Sequence, residues 1–399
     1  MTRIASCGVC ASTDHESVLS RRFEISFMEG LPVFEYARCE DCGFVFVRDP
    51  LDEERAEAYY NSSFRWGHVY ETPPPSARAI WESQAAFLSG AIPPGGRVLE
   101  IGSGPGYFLR LLLDTGLAGK AVGHEMSPRA LEYGRNALGL DMTDAGTVSL
   151  EEITAAGPYD LVVLRHVLEH IPAPDRYLAG LLPLLGRSGR LFVETPCLDV
   201  LDARAQAFPV FEHVNYFSQA QMAHLLGRLG LTLLAEGRDV YSPDSEKPYR
   251  VLRALAQAGG RTSAAPAPRS PLTARDFQEF SARSDVLGAA EKAVLDALAS
   301  DPGPDTVYAF HAASNETLAL LRRTGLAEKR PVAAIFDNNP GKWGQTIEGV
   351  PVMSPEQMKE IRPQRIIIGS SAFHREIGEG LRAAGVEESR ILDPWEPIP

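Results

Sequence analysis

The chain lacks any uninterrupted apolar run of about 18 residues, the length that a membrane-spanning helix needs. Its first residues contain no apolar stretch of signal-peptide length, so we expect a cytoplasmic protein that neither spans a membrane nor is secreted. The chain has fewer basic than acidic residues, 39 Lys and Arg against 52 Asp and Glu, and its net charge is −13. This balance argues against a broad nucleic-acid-binding surface, which needs concentrated Lys and Arg, but it allows a pocket for one nucleotide.

Cysteine is scarce, with only five in 399 residues, and four of them form two Cys-x-x-Cys pairs. Residues 11–38 separate the pair Cys7 and Cys10 from the pair Cys39 and Cys42. Such pairs suit a metal in a reducing compartment better than a disulfide framework. The spacing predicts one zinc ion held by four thiolates, in a structural role because no coordination position is left for a substrate. Iron in a similar site and free buried thiols are the alternatives.

The length exceeds one ordinary core and predicts several domains. Strands and helices alternate from Val98 onward, which indicates an α/β fold with a parallel sheet and helices on both faces. We expect an N-terminal zinc-binding domain, a Rossmann-like core, a linker rich in Gly, Ala, Ser and Pro, and a C-terminal Rossmann-like α/β domain. The expected boundaries are 1–72, 77–258, 259–275 and 276–399.

A glycine-rich segment lies between the first strand and first helix of the core. It contains Gly102, Gly104 and Gly106, and Glu100 lies inside the strand before it. A dinucleotide-binding fold has Gly-x-Gly-x-x-Gly, whereas here the third glycine arrives one residue early. Glu125 ends the second strand, where an acidic residue accepts both ribose hydroxyls of a bound nucleotide. These residues predict a site for S-adenosylmethionine; a Rossmann unit for NAD is the alternative.

Two histidines follow the strand predicted at Leu161 to Leu164, near the edge where such sheets bind ligands. His166 and His170 are four residues apart, so we expect them on one face of a helix. Both are candidates to line the cofactor pocket, and His170 is also a catalytic candidate.

A second histidine segment runs from Phe211 to Ser218. Glu212 and His213 have the chemistry of a general-base pair, because His titrates near neutrality and a neighbouring carboxylate can hold it. The alternative is purely structural. Ser218 and Gln221 match a capping box that opens a helix over Gln219 to Leu229, with the nearby aromatic side chains as anchors.

Residues 95–240 resemble class I S-adenosylmethionine-dependent methyltransferases, because they combine the glycine segment, its two acids and the segment Arg165 to Pro172. The order of units along the whole chain resembles zinc-containing sugar C-methyltransferases, which act on nucleotide-linked keto-deoxysugars in antibiotic pathways. In that family a Glu-His pair matching Glu212 and His213 takes a proton from carbon. The resemblance also implies that a tyrosine, here Tyr60, and His170 line the site.

Two positions depart from that family. A tyrosine that it places two residues before the glutamate is Val210 here, and a Lys-Gly element of its C-terminal domain is replaced within Phe310 to Glu316. In the tail, Asp337 is a candidate to hold a ribose and the helix start near Ser314 to meet phosphate. The alternative is a C-terminal domain that binds no ligand and only packs against the core.

The sequence therefore predicts methyl transfer from S-adenosylmethionine to a carbon beside a ketone of a nucleotide-linked sugar. An O- or N-methyltransferase acting on another small molecule is the nearest alternative, and a non-catalytic binding module is the more distant one. The oligomeric state stays open.

Overall fold

The computed structural model describes residues 4–23, 31, 33–60, 73, 75–201, 208–241, 249–260, 266–283, 286–301 and 303–396. It contains two compact units, the first formed mainly by residues 34–61 and 69–280 with the N-terminal segment, and the second mainly by Ser281–Pro399. Among the helices of the described ranges, none combines the length and apolar character needed to cross a membrane.

The first unit contains eleven strands among its described residues. They are β1 (His15–Arg21), β2 (Phe34–Cys39), β3 (Val45–Val47), β4 (Arg97–Ile101), β5 (Lys120–Glu125), β6 (Asp141–Asp144), β7 (Tyr159–Arg165), β8 (Leu185–Pro196), β9 (Asn215–Tyr216), β10 (Thr232–Tyr241) and β11 (Tyr249–Gln257). The helices up to the unit boundary are α1 (Glu53–Tyr60), α2 (Pro75–Phe87), α3 (Tyr107–Asp114), α4 (Pro128–Asn136), α5 (Leu150–Ala156), α6 (Pro174–Leu181), α7 (Gln219–Arg228) and α8 (Ala274–Arg283).

The core of this unit is a seven-stranded sheet in the order β10-β11-β8-β7-β4-β5-β6. Strands β4 to β8 pair in parallel, whereas β11 is antiparallel to both of its neighbours. The chain proceeds outward from β4 through β5 to β6 and then returns to β7 on the other side. The topological switch therefore lies between β4 and β7, where sheets of this kind bind ligands at their carboxyl edge.

The α/β class and the Rossmann-like core are confirmed, and the predicted strand starting at Val98 is observed as Arg97–Ile101. Buried apolar runs such as Leu161 to Leu164, fully shielded from solvent, explain why the central strands were recognisable. The edge strand β6 was missed because Asp141–Asp144 is short and polar. The next helix after α8 is α9 (Val286–Ser300), and residues 284–285 between the two helices lie outside the described ranges.

A smaller sheet carries the cysteine pairs, in the order β1-β2-β3-β9. Strand β9 belongs to the later part of the chain, so the N-terminal segment and the core share one sheet. The buried rings of Phe44 and Phe217 lie 5.0 Å apart, and Gln221 donates a hydrogen bond to the carbonyl of Cys42 at 3.0 Å. Part of the predicted linker also contacts this region, because the Ser270 amide donates to the same carbonyl at 3.0 Å.

The second unit is built on a six-stranded sheet in the order β14-β15-β13-β12-β16-β17. Its strands are β12 (Tyr308–His311), β13 (Val332–Phe336), β14 (Thr346–Ile347), β15 (Val350–Met353), β16 (Arg365–Ile368) and β17 (Ile391–Leu392). The helices following α9 are α10 (Asn315–Thr324), α11 (Leu326–Lys329), α12 (Met358–Ile361) and α13 (His374–Ala383). Only β14 pairs antiparallel, so this C-terminal unit is a mixed α/β sheet domain.

Candidate functional site

The glycine segment turns sharply between β4 and α3. Gly102, Gly104 and Gly106 all have positive φ, at 67°, 54° and 89°, a conformation that other residues rarely adopt. A Cβ on Gly102 would lie 2.5 Å from Cγ2 of Val167, and one on Gly106 would collide with Leu140. Glycine is therefore required by backbone conformation and by packing against the protein itself.

Glu125 holds this segment in place. One carboxylate oxygen accepts the amide of Gly104 at 2.8 Å, and the other accepts the amides of Met126 and Ser127 at 2.9 and 2.8 Å. The residue ends β5 beside the topological switch, as the sequence predicted for a ribose-binding acid. Because each carboxylate oxygen has two acceptor positions, the same group retains capacity for further hydrogen bonds.

Glu100 lies on β4 and is completely buried. Its Oε1 accepts from Nε of Arg165 at 2.6 Å, while Oε2 is buried without a hydrogen-bond partner. The guanidinium of Arg165 also donates to Gln84 and lies over the ring of Phe108. Burial raises the pKa of Glu100, and the charge of Arg165 only partly offsets this. An unsatisfied carboxylate oxygen beside three left-handed glycines fits a polar, cationic cosubstrate such as S-adenosylmethionine.

The expectation that His166 and His170 share a helix face is wrong. His166 follows β7 with φ at 54°, and only Leu168–His170 forms a short 3₁₀ turn. A backbone bond from the His166 amide to the Glu194 carbonyl at 2.8 Å continues the strand pairing into this residue. The left-handed conformation then redirects the chain, so the two imidazoles reach the site from separate elements.

The His166 ring lies between two buried carboxylates. Nδ1 is 3.3 Å from Glu169, and Nε2 is 3.3 Å from Glu194. Burial alone would lower the pKa of His166, but hydrogen bonds and charges from both glutamates raise it to about 9. Burial would likewise raise the glutamate pKa values, yet His166 and nearby groups lower each to about 2. The three residues form an ionised cluster at neutral pH.

Glu194 extends this cluster along β8. It accepts from Gln84 at 2.6 Å and from Nε of Arg253 at 2.6 Å, and Tyr241 also donates to it. Gln84 also bonds Arg165, so the network continues to Glu100 at the glycine segment. Glu194 and Glu169 are not recognisable as site residues from the sequence, because an acid inside an apolar strand or turn gives no local signal of its partners.

The segment carrying His213 is fastened to the 3₁₀ turn on both sides. Nδ1 of His170 donates to the carbonyl of Glu212 at 2.9 Å, and the amide of Val214 donates to the carbonyl of Glu169 at 2.8 Å. The rings of His170 and His213 meet edge to face at 5.1 Å, and His213 is only 6% exposed. The structure thus brings together both histidine motifs.

Whereas the sequence resemblance points to Tyr60, the tyrosine of α1 that contacts Glu212 is Tyr59. Its hydroxyl donates to Oε1 of Glu212, and its ring packs on Phe211. The side chain of the predicted Tyr60 lies outside the described part of the chain. Consecutive residues of a helix point about 100° apart, so the sequence alone could not choose between the two.

At Val210, where the resembling family has a tyrosine, the backbone amide and the backbone carbonyl both bond the hydroxyl of Tyr216.

The capping box is confirmed. Ser218 accepts from the Gln221 amide, and the Gln221 side chain accepts from the Ser218 amide in return. The segment from Phe211 to Ser218 therefore anchors the start of α7 and also places His213 beside other titratable groups.

The four paired cysteines converge. Their sulfur atoms all lie within 4.8 Å of one another, with Cys7 to Cys42 at 3.6 Å and Cys10 to Cys39 at 3.5 Å. A tetrahedral zinc ion with bonds near 2.3 Å would set its sulfurs about 3.8 Å apart, so the cluster fits that ion. The fifth cysteine, Cys197, is buried elsewhere on the core and lies outside the cluster.

In the C-terminal unit the expected ribose acceptor has other partners. Asp337 accepts the amides of Ala313 and Asn339 at 2.7 and 2.8 Å, and Nζ of Lys342 lies 3.2 Å away. Ser314 caps α10 through the amide of Thr317. These bonds connect the loops after β12 and β13, and the ribose-binding role of Asp337 stays a prediction.

Two family models match the chain. Residues 76–236 match the model described as "Methyltransferase domain", and residues 307–392 match one described as "C2185-like, N-terminal". The first match covers strands β4 to β8, the first half of β10 and every residue of the glycine segment. Residues 76–236 are thus a class I S-adenosylmethionine-dependent methyltransferase domain, joined to a four-cysteine region and a C2185-like domain.

Among curated relatives, the ubiquinone biosynthesis O-methyltransferase of Aromatoleum aromaticum is 29% identical over 150 residues, covering 36% of this chain and 58% of that protein. The enzyme of the same name from Xanthomonas axonopodis pv. citri is 28% identical over 199 residues, covering 45% of this chain and 80% of that protein. A solved methyltransferase structure from Anabaena variabilis aligns with 16% identity and a TM-score of 0.42, over 53% of this chain and 97% of that one.

The ionised cluster around His166 predicts a pH-dependent loss of stability in His166→Asn. Asparagine tolerates the left-handed backbone but leaves two buried carboxylates without their shared cation. Because about a third of the His166 side chain is exposed, we expect a loss of about 2 kcal/mol in the free energy of unfolding, below the roughly 3–5 kcal/mol typical of a fully buried pair.

The direction of the pH effect on stability follows from the shift in the pKa of His166 between the folded and unfolded states. The pKa of His166 is raised in the folded state, so its contribution is complete below about pH 6.5 and disappears as the pH rises through about 9. Urea titrations at pH 6 and pH 9.5 should show the larger deficit at pH 6. His224→Asn is the matched control, on α7 and without a carboxylate pair, and should change little at either pH. An equal deficit at both values would contradict the assigned charge.

Proposed function

We propose that the chain transfers a methyl group from S-adenosylmethionine to a carbon beside the ketone of a nucleotide-linked deoxysugar. The observation that carries this proposal is the placement of His213, buried against His170 and flanked by Glu212, on a segment fastened to the carboxyl edge of the methyltransferase sheet. A base held this close to the sheet edge suits an acceptor that must lose a carbon-bound proton before it can attack the methyl group.

In the proposed reaction, separate residues bind the cosubstrate and move the proton. The glycine segment and Glu125 hold the cosubstrate, and Glu100 with Arg165 supports the strand beneath it. When bound, S-adenosylmethionine supplies a methyl group on a positively charged sulfur. His213 takes the proton from the acceptor carbon, whose electron pair then forms the new bond to the methyl carbon as the sulfur–carbon bond breaks. Tyr59 orients Glu212, and His170 fixes the carbonyl next to His213.

A second candidate is methyl transfer to oxygen. The curated relatives named above are O-methyltransferases, and their similarity covers the core that holds the cosubstrate. An oxygen acceptor would use His213 only to remove a hydroxyl proton. The two candidates differ in where the methyl label appears and in whether a carbon-bound hydrogen exchanges with solvent.

The mechanism predicts the behaviour of His213→Ala. Incubated in deuterated water with a panel of nucleotide-linked keto-deoxysugars, the wild-type protein should exchange the hydrogen beside the ketone and methylate that carbon. The variant should lose about 10²–10⁴-fold in both rates, because that is what a general base contributes. S-adenosylhomocysteine affinity should be unchanged, since His213 lies outside the glycine segment.

His224→Ala, a half-buried histidine on α7, serves as the control for folding and activity. A loss of less than about tenfold in His213→Ala would favour the helix-anchoring role. Label on oxygen without exchange at carbon would select the second candidate and contradict the first.

The cofactor assignment predicts the effect of Glu125→Ala on S-adenosylhomocysteine binding. The change removes the ribose acceptor and also the clamp on the Gly104 amide. We expect a loss of about 1.5–3 kcal/mol, or roughly 10- to 150-fold in Kd by calorimetry. Glu132→Gln, an exposed acid on α4, should leave Kd unchanged. If Glu125→Ala also binds with wild-type affinity, Glu125 does not hold the ribose.

Zinc is the proposed occupant of the cysteine cluster. Elemental analysis of the purified chain should find about one zinc per molecule, and Cys39→Ser should lose it together with the fold of the cysteine sheet. Cys197→Ser is the matched control because that buried cysteine lies outside the cluster, and it should retain the metal. A preparation that carries iron alone, or no metal, would exclude a structural zinc site.

A further inference from the structure

The 3₁₀ turn Leu168–His170 carries one buried acid that has no role in the proposed methyl transfer. Glu169 is 1% exposed, and its carboxylate lies near His166, His170 and His213. Its Oε2 accepts from the hydroxyl of Thr195 at 3.0 Å, while Oε1 faces Nδ1 of His166 at 3.3 Å and Nε2 of His170 at 3.9 Å.

Glu169 is also close to the proposed base. A carboxylate oxygen of Glu169 and a ring nitrogen each of His170 and His213 lie within 4.8 Å of one another. The backbone carbonyl of Glu169 binds the amide of Val214, so the residue fastens the chain next to His213 while its side chain faces the imidazole. Glu169 therefore fixes the position of the segment that carries His213 and also supplies the carboxylate near its imidazole.

The charge of Glu169 is maintained by its surroundings. Burial acts to raise its pKa, but His166, His170 and His213 together outweigh burial, and its pKa falls to about 2. Electrostatic coupling is reciprocal, so a carboxylate stabilised by protonated His213 stabilises that imidazolium equally. A buried acid with this pKa does not compete for the proton.

We propose that Glu169 is a positioning residue whose buried charge stabilises the imidazolium formed when His213 takes the proton of the acceptor. This rests on the proposed function. The carbon–hydrogen bond breaks, the proton moves to an imidazole nitrogen of His213, and the electron pair stays on the acceptor. Glu169 remains a carboxylate throughout, as a buried acid beside a catalytic histidine does in hydrolase triads.

Titratable or charged neighbours of Glu169 come from several elements. His166 and His170 face it from the ends of β7 and of the 3₁₀ turn, with Glu194 on β8 behind His166. His213 approaches from the segment before β9, and burial together with the charge of Glu169 raises the pKa of Tyr249 on β11. Among these, His213 is the group that must gain a proton during the proposed reaction.

The test follows the imidazole of His213 directly. Full-length protein with ¹⁵N-labelled histidine and bound S-adenosylhomocysteine is titrated by NMR, and the His213 signal is assigned with His213→Asn. In the wild type we expect His213 to titrate at or above about pH 6.5 although it is buried. His311 is the internal contrast, because burial lowers its pKa.

Glu169→Gln keeps the shape and the bond to Thr195 but removes the charge. It should lower the pKa of His213 by about one unit and slow carbon–hydrogen exchange by roughly 10²-fold, while S-adenosylhomocysteine affinity stays the same. Glu169→Asp restores the charge and should recover most of both effects. Glu151→Gln, an exposed acid on α5, should leave the His213 titration unchanged.

An unchanged pKa of His213 in folded Glu169→Gln overturns the proposal, as does a wild-type pKa clearly below 6.5 if that variant fails to fold. A second metal ion per chain that disappears in Glu169→Gln also overturns it, since the carboxylate and two imidazoles would then be metal ligands. Absence of exchange in the wild type contradicts carbon methylation, whereas the NMR titration still decides the coupling of Glu169 to His213.

Discussion

The burial of three carboxylates at the carboxyl edge of one sheet is the constraint on which the site depends. Glu100, Glu169 and Glu194 are each at most 1% exposed. An ionised carboxylate removed from water must be paired and hydrogen-bonded, or it becomes neutral. Arg165 and Arg253 each approach one of them at 2.6 Å. The remaining pairing falls to an imidazole, which explains the position of a histidine at the end of β7.

The differences among the three acids follow from their partners. His166 lies between Glu169 and Glu194, and both have a pKa lowered to about 2. Glu100 has a single strong partner and an unsatisfied oxygen, and its pKa is raised. Of these three acids, Glu100 beside the glycine segment is therefore the one that gains most from a cationic ligand.

The cysteine sheet contributes to the same geometry from a distance. Val214, the residue after His213, donates its amide to Glu169, and its carbonyl accepts the amide of Val47 in β3. Strand β9 then continues the pairing, with Tyr216 opposite Val45. A metal bound by the cysteines would thus support the segment carrying His213 without touching the chemistry, because backbone hydrogen bonds transmit position through the sheet.

Local patterns in the sequence determined the α/β class, the glycine turn, the acid at the end of β5, the capping box at Ser218 and the four-cysteine cluster. Each depends on residues close together in the chain or on a spacing that chemistry restricts. Tertiary structure alone decided that Tyr59 meets Glu212, that His166 leaves the helix expected for it, and that Glu169 lies near both histidine motifs. These contacts join residues from separate elements, and the burial that makes their charges matter exists only once the sheet has formed.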